Sequence, residues 1–333
     1  MKKILKGVCM VALVALAFTS CKKNENKAHT FYATSEELKV SNVDRAYIVY
    51  QGSSASTDFE AGDQIMMYNL NYTDPRQTYY GVYTARTTGH KVPYDYQSGP
   101  IIDHMSKQDA FFGYYPGQRV NNAYLADRNV VVFNIPNYQN YREINGVAAP
   151  AERSMAMAAK YETDDPVATI DDADLQFKNI MGVLRLDLRS NTPRTVKSIV
   201  FEDKKFDIAG DVHLRIDKVD DTRLSSLIDR FSANYDANPS YMAELNDYIS
   251  ELGYFVDGEK GNTITLNCGE GVQINGTAKP FYIALRPAAY YAGCIITINF
   301  ENGAPAVINS SRNNMFKPND LKYMPLLVDN YIP

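Results

Sequence analysis

Short runs in which apolar and polar residues alternate recur along most of the chain. In "VLRLDLR", the residues Leu184, Leu186 and Leu188 alternate with charged side chains. A period of two residues is typical of a strand with one buried face. Other short runs with strand character, some alternating and some continuously apolar or aromatic, are bounded by Gly, Pro, Asn and Asp and occupy residues 31–40, 45–52, 65–70, 78–87, 109–117, 128–136, 195–203, 207–217, 262–269, 279–287 and 293–303. Many short strands at such intervals favour a β-sandwich or a β-barrel.

Two segments depart from this pattern. Residues 221–253 carry two apolar stripes at helical spacing. Pro239 suits the first turn of a second helix, and Gly253 suits its end. The segment predicts a helical insertion, or helical hairpin, that packs against a sheet. Residues 151–174 predict a loop with one short helical turn at "SMAMAA".

The first twenty residues have the pattern of a secretory signal peptide. Lysines precede the short apolar run "GVCMVALVALAF", and small residues then lead to Cys21. This arrangement resembles a lipobox, in which Cys21 becomes the lipidated N-terminus. The alternatives are an uncleaved anchor helix, or a plain signal peptide followed by a chance cysteine. We predict a lipoprotein signal peptide over 1–20 and an exported protein held to the outer membrane by lipid.

Net charge and aromatic content narrow the function classes. The chain has 25 Tyr, 14 Phe, no Trp and a net charge of −5. Loss of residues 1–20 removes three lysines and no acids, which takes the net charge from −5 to −8. A negative chain without a basic run argues against a nucleic-acid partner. Abundant tyrosine suits both pleated sheets and contact surfaces.

Only two cysteines remain for the folded protein once Cys9 leaves with the signal and Cys21 carries lipid. Cys268 and Cys294 lie on separate predicted strands. They either form one disulfide in an oxidising compartment or stay as two buried thiols. The sequence leaves both alternatives open, because it does not give the distance between them.

No constellation of catalytic residues stands out. The four histidines are scattered, and none pairs with another His, Cys or acid at metal-ligand spacing. The chain has no G-x-S-x-G elbow and no P-loop. We therefore predict no catalytic residue, no cofactor and no metal site, and expect that the protein is not an enzyme.

Several motifs, taken in order, carry a family resemblance. "DFEAGDQIMMY", "DAFFGYYPG", "LQFKNIMGVLRLDL", "VKSIVFED", "IAGDVHL", "FYIALRP" and "NDLKYMPLLV" resemble the successive strands of fimbrillin-like proteins, the Mfa-like major and minor fimbrial subunits of Bacteroides-type bacteria. The similarity covers most of residues 31–333. The lack of Trp and the predicted helical insertion depart from the family pattern.

The resemblance implies two transthyretin-like, Greek-key β-sandwich domains, here 46–172 and 173–333. It implies a cell-surface lipoprotein that builds or decorates fimbriae and acts in adhesion to a receptor that the sequence does not identify. In such proteins an arginine-specific protease cuts after an N-terminal propeptide strand. The groove that opens is filled by a strand from another fimbrial subunit.

Three parts of this chain match those roles. Residues 21–45 hold a tether and the candidate propeptide strand 30–40, and the bond from Arg45 to Ala46 is the candidate processing site. The tail 321–333 is the candidate donor strand. Its apolar residues are Leu321, Tyr323, Leu326, Leu327 and Val328.

Two alternatives remain open. The tail could instead be the last structural strand of the second domain, because Pro325 is tolerable mainly on an edge strand or at a bulge. The protein could also be a surface glycan-binding lipoprotein, which would use exposed tyrosines as stacking platforms.

Overall fold

The structure is a computed structural model of the 333-residue chain. It describes residues 30–36, 39–41, 58–69, 80–99, 110–115, 124–127, 130–144, 146–151, 154–162, 173–215, 226, 244, 256–290, 292–311 and 314–333. Strands dominate these residues, which confirms the all-β prediction.

The strands are numbered in chain order, and a 3₁₀ turn at Val328–Tyr331 follows the last of them. They are β1 Thr30–Ser35, β2 Lys39–Ser41, β3 Gln64–Asn69, β4 Tyr80–Ala85, β5 Lys91–Ser98, β6 Ala110–Tyr115, β7 Tyr124–Asp127, β8 Val130–Ile135, β9 Tyr138–Asn140, β10 Arg142–Ile144, β11 Val147–Ala149, β12 Met157–Glu162, β13 Asp174–Asn179, β14 Gly182–Arg189, β15 Arg194–Asp203, β16 Ala209–Arg215, β17 Val256–Gly261, β18 Thr263–Ile274, β19 Lys279–Leu285, β20 Ala288–Tyr290, β21 Cys294–Phe300, β22 Ala306–Ser310, β23 Asn314–Phe316 and β24 Asp320–Leu327.

One sheet closes on itself as a barrel, in the strand order β1-β13-β12-β6-β3-β4-β5. β1 completes the ring, because it pairs in parallel with β13 and antiparallel with β5. A closed sheet has no free edge. The resemblance predicts a transthyretin-like sandwich for residues 46–172. The strands described here close into a ring, so the sandwich is not confirmed, and the two-sandwich interpretation stays a prediction.

Aromatic rings fill the barrel. Phe59 packs edge-on against Tyr94, Tyr115 and Phe177, with ring centroids 5.5, 5.7 and 5.7 Å away. Gly113 of β6 leaves room for this packing, since a Cβ there would lie 2.7 Å from the Phe177 ring. The interior is therefore a packed core and not a channel.

Part of the outer face of the barrel is buried as well. Met66, Tyr68 and Tyr114 point away from the barrel interior into a larger apolar cluster shared with β8 and the later strands. The rings of Tyr114 and Phe133, for example, lie 5.7 Å apart. Burial on both faces explains why "IMMY" is continuously apolar.

The later strands form three further sheets of four or five strands. Their orders are β19-β14-β24-β2, β22-β21-β15-β18-β9 and β17-β16-β8-β7. Leu184, Leu186 and Leu188 of β14 are buried, as their alternation predicts. Strand pairing crosses residue 172, because β8 pairs with β16 and β9 pairs with β18. The domain division at that residue stays a prediction.

The predicted loop and helical turn around "SMAMAA" is wrong. Residues Met157–Glu162 form β12, which lies between β6 and β13 in the barrel. Met157 and Ala159 face the barrel interior, while Ala158 faces the larger cluster. Helix propensity is a weak preference, and a strand position with two buried faces overrides it.

The predicted helical insertion at 221–253 lies almost wholly outside the described residues. Ser226 and Glu244 are its two described positions, and both have α-helical backbone. The insertion therefore stays a prediction. In the described part of the chain, no helix has the length and apolar character needed to cross a membrane.

Candidate functional site

The slot that β1 fills in the barrel is the candidate site. We call it the β1 groove and define it by its two flanking strands, Lys91–Ser98 and Asp174–Asn179. Phe31 lies opposite Tyr94 on one side, and Ala33 lies opposite Val92 on that side and Leu175 on the other. β1 therefore has ladder partners along both of its edges.

Alternate side chains of β1 enter the barrel. The Phe31 ring packs edge-on against Tyr83 at 4.8 Å and stacks on Tyr94 at 5.8 Å. Phe31 and Ala33 are both fully buried. Ser35 is also buried, and its Oγ lies 3.1 Å from Nδ1 of His90. β1 thus presents an aromatic, a small and a hydroxyl side chain to the interior.

The outward side chains of β1 make polar contacts. Thr30 Oγ1 donates to Asp95 Oδ1 at 2.8 Å, and Thr34 Oγ1 donates to Asp174 Oδ1 at 3.2 Å. The Arg86 guanidinium, which donates to Asp95, holds the pKa of that carboxyl below its usual value. The contacts of Thr34 and Arg86 are exposed and that of Thr30 is partly buried, and surface contacts of this kind contribute little. We therefore attribute most of the binding of β1 in the barrel to its inward side chains and to its backbone hydrogen bonds with β5 and β13.

A polar junction fixes the end of β1. The amide of Glu36 donates to the carbonyl of Phe177 at 2.8 Å. Asn179 Nδ2 donates to the Glu36 carbonyl at 3.2 Å and to Asn319 Oδ1 at 2.9 Å. Asn319 directly precedes β24, so this junction connects the barrel to the sheet that contains the C-terminal strand.

β2, which follows β1, lies on that second sheet. It pairs in parallel with the first residues of β24, from Asp320 to Lys322. β24 pairs in parallel with β14 along its other edge. The N-terminal segment 30–41 therefore closes the barrel and also covers part of the edge of β24.

The candidate donor tail is paired within its own sheet. Leu321, Leu326 and Val328 are buried, and Tyr323 stacks on Arg185, whose Cζ is 5.3 Å from the ring centroid. Leu327 is half-buried. Pro325 lies opposite Asp187 of β14, beyond the residues of β24 that pair with β2. The tail has the position of a structural strand, and its use as a donor stays a prediction.

Asp329 anchors the end of the chain. Its carboxylate accepts hydrogen bonds from the Asn191 amide at 2.7 Å and from Ser190 Oγ at 3.1 Å, and it lies 3.5 Å from the Arg194 guanidinium. The backbone bond from Asn191 is the main reason that the pKa of Asp329 is lowered. The anchor is therefore strongest while the carboxylate is charged.

We expect Asp329→Ala to lower the free energy of unfolding by about 1 kcal/mol at pH 7, since it removes hydrogen bonds to a charged group. The folded-state pKa is lowered, so this stability is present above the usual aspartate pKa and is lost as pH falls through the folded value. Urea unfolding at pH 7 and pH 3 checks both points. An equal loss at both pH values would argue against the charged anchor, and Asp329→Asn, which keeps an acceptor oxygen, is the matched control.

The two cysteines are free in the structure, and both are buried. Cys268 lies on β18 and Cys294 on β21, on opposite sides of β15. Two strand spacings amount to roughly 10 Å, which exceeds the reach of a disulfide. Of the two alternatives, the disulfide is therefore not formed. Burial raises the pKa of both thiols to about 12.

The structure does not test the remaining predicted site residues. Cys21, Arg45 and Ala46 lie outside the described residues. No group of three or more His, Cys, Asp or Glu in the described part of the chain is placed to hold a metal ion. Two of the exposed tyrosines, Tyr32 and Tyr138, lie on different sheets.

Sequence reasoning missed several residues of the β1 groove. It did not identify Tyr83 and Tyr94, which receive Phe31, or His90, which faces Ser35. "VPYDY" does alternate apolar and polar positions, and this was a usable signal for a strand there.

Comparisons with known proteins give similarity in structure but none in sequence. No protein-family model matches the chain, and no curated protein matches it. A crystal structure from Bacteroides uniformis, described as a "putative cell adhesion protein", has 16% identity and a TM-score of 0.50, over 91% of this chain and 94% of that one. One from Bacteroides ovatus, described in the same words, has 11% identity and a TM-score of 0.48, over 87% and 88%.

The tip fimbrial protein Mfa3 from Porphyromonas gingivalis, solved with a C-terminal truncation, is also similar. It has 9% identity and a TM-score of 0.26, over 84% of this chain and 81% of that chain. The Bacteroides uniformis protein establishes the fold of this chain. The Bacteroides uniformis protein comes from the group of bacteria to which the sequence resemblance points.

Proposed function

We propose that this chain is a fimbrillin-like cell-surface lipoprotein, a structural or tip/accessory subunit of fimbriae that acts in cell adhesion. The observation that carries the proposal is the position of one N-terminal segment. β1 fills a two-sided slot in the barrel, and β2 covers the edge of β24. Arg45 follows four residues after the end of β2. One cut after Arg45 would free both strands from the rest of the chain.

Loss of β1 would open the barrel along its whole length. The facing edges of β5 and β13 would lose their ladder partners, and the rings of Tyr83 and Tyr94 would lose Phe31. Unpaired strand edges beside an apolar slot are a template for another strand. A donor strand restores the ladder and fills the alternate side-chain positions at once.

The same geometry favours a filament. A strand given by one subunit and received by the next is a head-to-tail contact, and such contacts generate open chains. The partners in this proposal are other fimbrial subunits and an arginine-specific protease. The proposed role is not catalytic.

Lipid at Cys21 would hold the precursor at the outer membrane before the cut. Cleavage after Arg45 would remove five positive and four negative side chains, which changes the net charge only from −8 to −9. Release of the anchor and opening of the groove, rather than a change in charge, are the proposed consequences.

We expect digestion of the full precursor with an arginine-specific protease to release a fragment that ends at Arg45 and to produce ladders on a native gel. Mass spectrometry identifies the fragment, and the gel reports the polymer. Arg45→Ala should prevent both changes, while Arg45→Lys should restore them with a lysine-specific protease. Cleavage at Arg45 that leaves only monomer, together with saturable binding of a sugar, would favour the glycan-binding alternative.

A further inference from the structure

The interior positions of β1 define what the open groove can accept. We infer that the β1 groove selects a strand with an aromatic, a small and a hydroxyl side chain at alternate positions. We further infer that the tail 321–333 fits this groove poorly, so that a strand of this pattern from another subunit should outcompete it. The inference rests on the proposed function and identifies the class of partner that it requires.

The aromatic position is set by two rings. Phe31 lies between Tyr83 and Tyr94, which are themselves fully buried. Tyr94 also packs edge-on against Phe59, with centroids 5.5 Å apart, so its ring is held from a second side. The Phe31 site is therefore a preformed aromatic slot, and an incoming aliphatic side chain would lose the ring contacts.

The small position is set by Val92 and Leu175. Both are fully buried, and they flank Ala33 from the two neighbouring strands. A packed interior has few voids, and a longer side chain at this position would force its neighbours to shift. The groove therefore admits Ala or a similarly small residue two places after the aromatic one.

The hydroxyl position is set by His90. The Ser35 amide donates to the His90 carbonyl at 3.0 Å, and Ser35 Oγ lies 3.1 Å from Nδ1 of His90. An apolar side chain here would leave the half-buried imidazole nitrogen facing carbon. Ser or Thr therefore fits this third position.

The tail of this chain does not fit that pattern. Residues 314–333 contain no Ala, Gly, Ser or Thr, so no aromatic residue there is followed by a small or hydroxyl one. Pro325 also lacks the N–H that a ladder on both sides requires, whereas in β24 it lies beyond the residues that β2 pairs with. The tail therefore suits its present position better than the β1 groove.

Residues 46–56 are a second segment of this chain, after the tail, that could compete for the β1 groove. Tyr50, Gly52 and Ser54 have the aromatic, small and hydroxyl order in this segment. Gly52 would take the place of Ala33 but lacks the Cβ that Ala33 packs into the interior. Glycine also weakens a strand, because it has more conformational freedom to lose. We therefore expect this segment to bind less well than 30–41.

A peptide-exchange experiment tests the selection. The chain without residues 1–20 is labelled with a fluorophore at Cys21, while Cys268 and Cys294 are protected by burial. It is cut after Arg45, and unlabelled peptides compete with the labelled segment. The peptide 30–41 should displace it fully, and a Tyr32→Ala peptide should compete within about threefold, because the Tyr32 side chain points outward.

Peptides that break the pattern should compete poorly. We expect Phe31→Ala, Ala33→Leu and the tail peptide 321–333 each to be about tenfold weaker or worse, and the peptide 46–56 to be weaker than 30–41. If the peptide 30–41 does not displace the label, the exchange proposed above fails. If it does displace the label but 321–333, 46–56 or the Ala33→Leu peptide competes equally, the selection inferred here is wrong while the exchange stands.

Discussion

Phe31→Ala in the uncut chain should lower the free energy of unfolding by about 3–5 kcal/mol, the usual cost of emptying a buried phenylalanine site. The ring is fully buried and packs against two aromatic rings of the barrel, at 4.8 and 5.8 Å. The cavity would form between β1 and the barrel interior, where the surrounding structure can relax only partially. Denaturant unfolding followed by tyrosine fluorescence measures the loss.

Tyr32→Ala is the matched control for this variant. Tyr32 is the next residue on the same strand, but 48% of its side chain is exposed and its ring contacts Lys91 at the surface. Its loss should cost less than about 1 kcal/mol. Equal stability of the two variants would mean that Phe31 does not hold β1 in the barrel.

Local patterns in the sequence were sufficient to predict most of the individual strands. "VLRLDLR" alternates because one face of β14 lies in the core, and "IMMY" is continuous because both faces of β3 are buried. Each of these runs reports the environment of its own side chains. The sequence alone therefore predicts the class of fold and several core residues.

Two barrel strands, β5 and β12, were not predicted, because their local sequences do not favour a strand. β12 contains "MAAK", whose alanines favour a helix in isolation, but its two sides face two different cores. β5 contains Pro93, which weakens the strand pattern. In the structure Pro93 lies opposite Tyr32, and its carbonyl accepts from the Arg86 amide at 2.9 Å, beyond the end of β4.

Closure of the barrel could not be read from any single segment. It depends on β1 meeting β13, a pairing of Tyr32 with Asp174 across most of the first half of the chain. Such pairings follow from the whole topology and not from local propensity. The candidate propeptide strand was recognised by family resemblance. Its partners, Tyr83, Tyr94 and His90, came only from the structure.

A reversible disulfide between β1 and β5, called the lock below, should abolish assembly without affecting cleavage after Arg45. Thr34 lies opposite Lys91, and the hydrogen bond from the Ser35 amide to the His90 carbonyl makes the Thr34–Lys91 pair a non-hydrogen-bonded one. Such pairs have Cα atoms about 4.5 Å apart, within the range that a disulfide spans. The double variant Thr34→Cys, Lys91→Cys, made with Cys21→Ser, should therefore form a cross-link between β1 and β5.

Single variants control for the lost side-chain contacts. Thr34→Cys alone and Lys91→Cys alone each lose a bond to Asp174, yet neither can join β1 to β5. Both should still be cut after Arg45 and should still assemble. Their behaviour separates the effect of the lock from that of the substitutions.

The extent of polymer formed by the cut double variant, measured by native gel before and after reduction, tests the central claim most directly. If release of β1 opens the acceptor groove, the oxidised protein will be cut after Arg45 and remain monomeric, and addition of a reductant will produce ladders. Ladders of equal extent from the oxidised, cross-linked protein would show that assembly does not require β1 to leave the barrel, and would contradict the account.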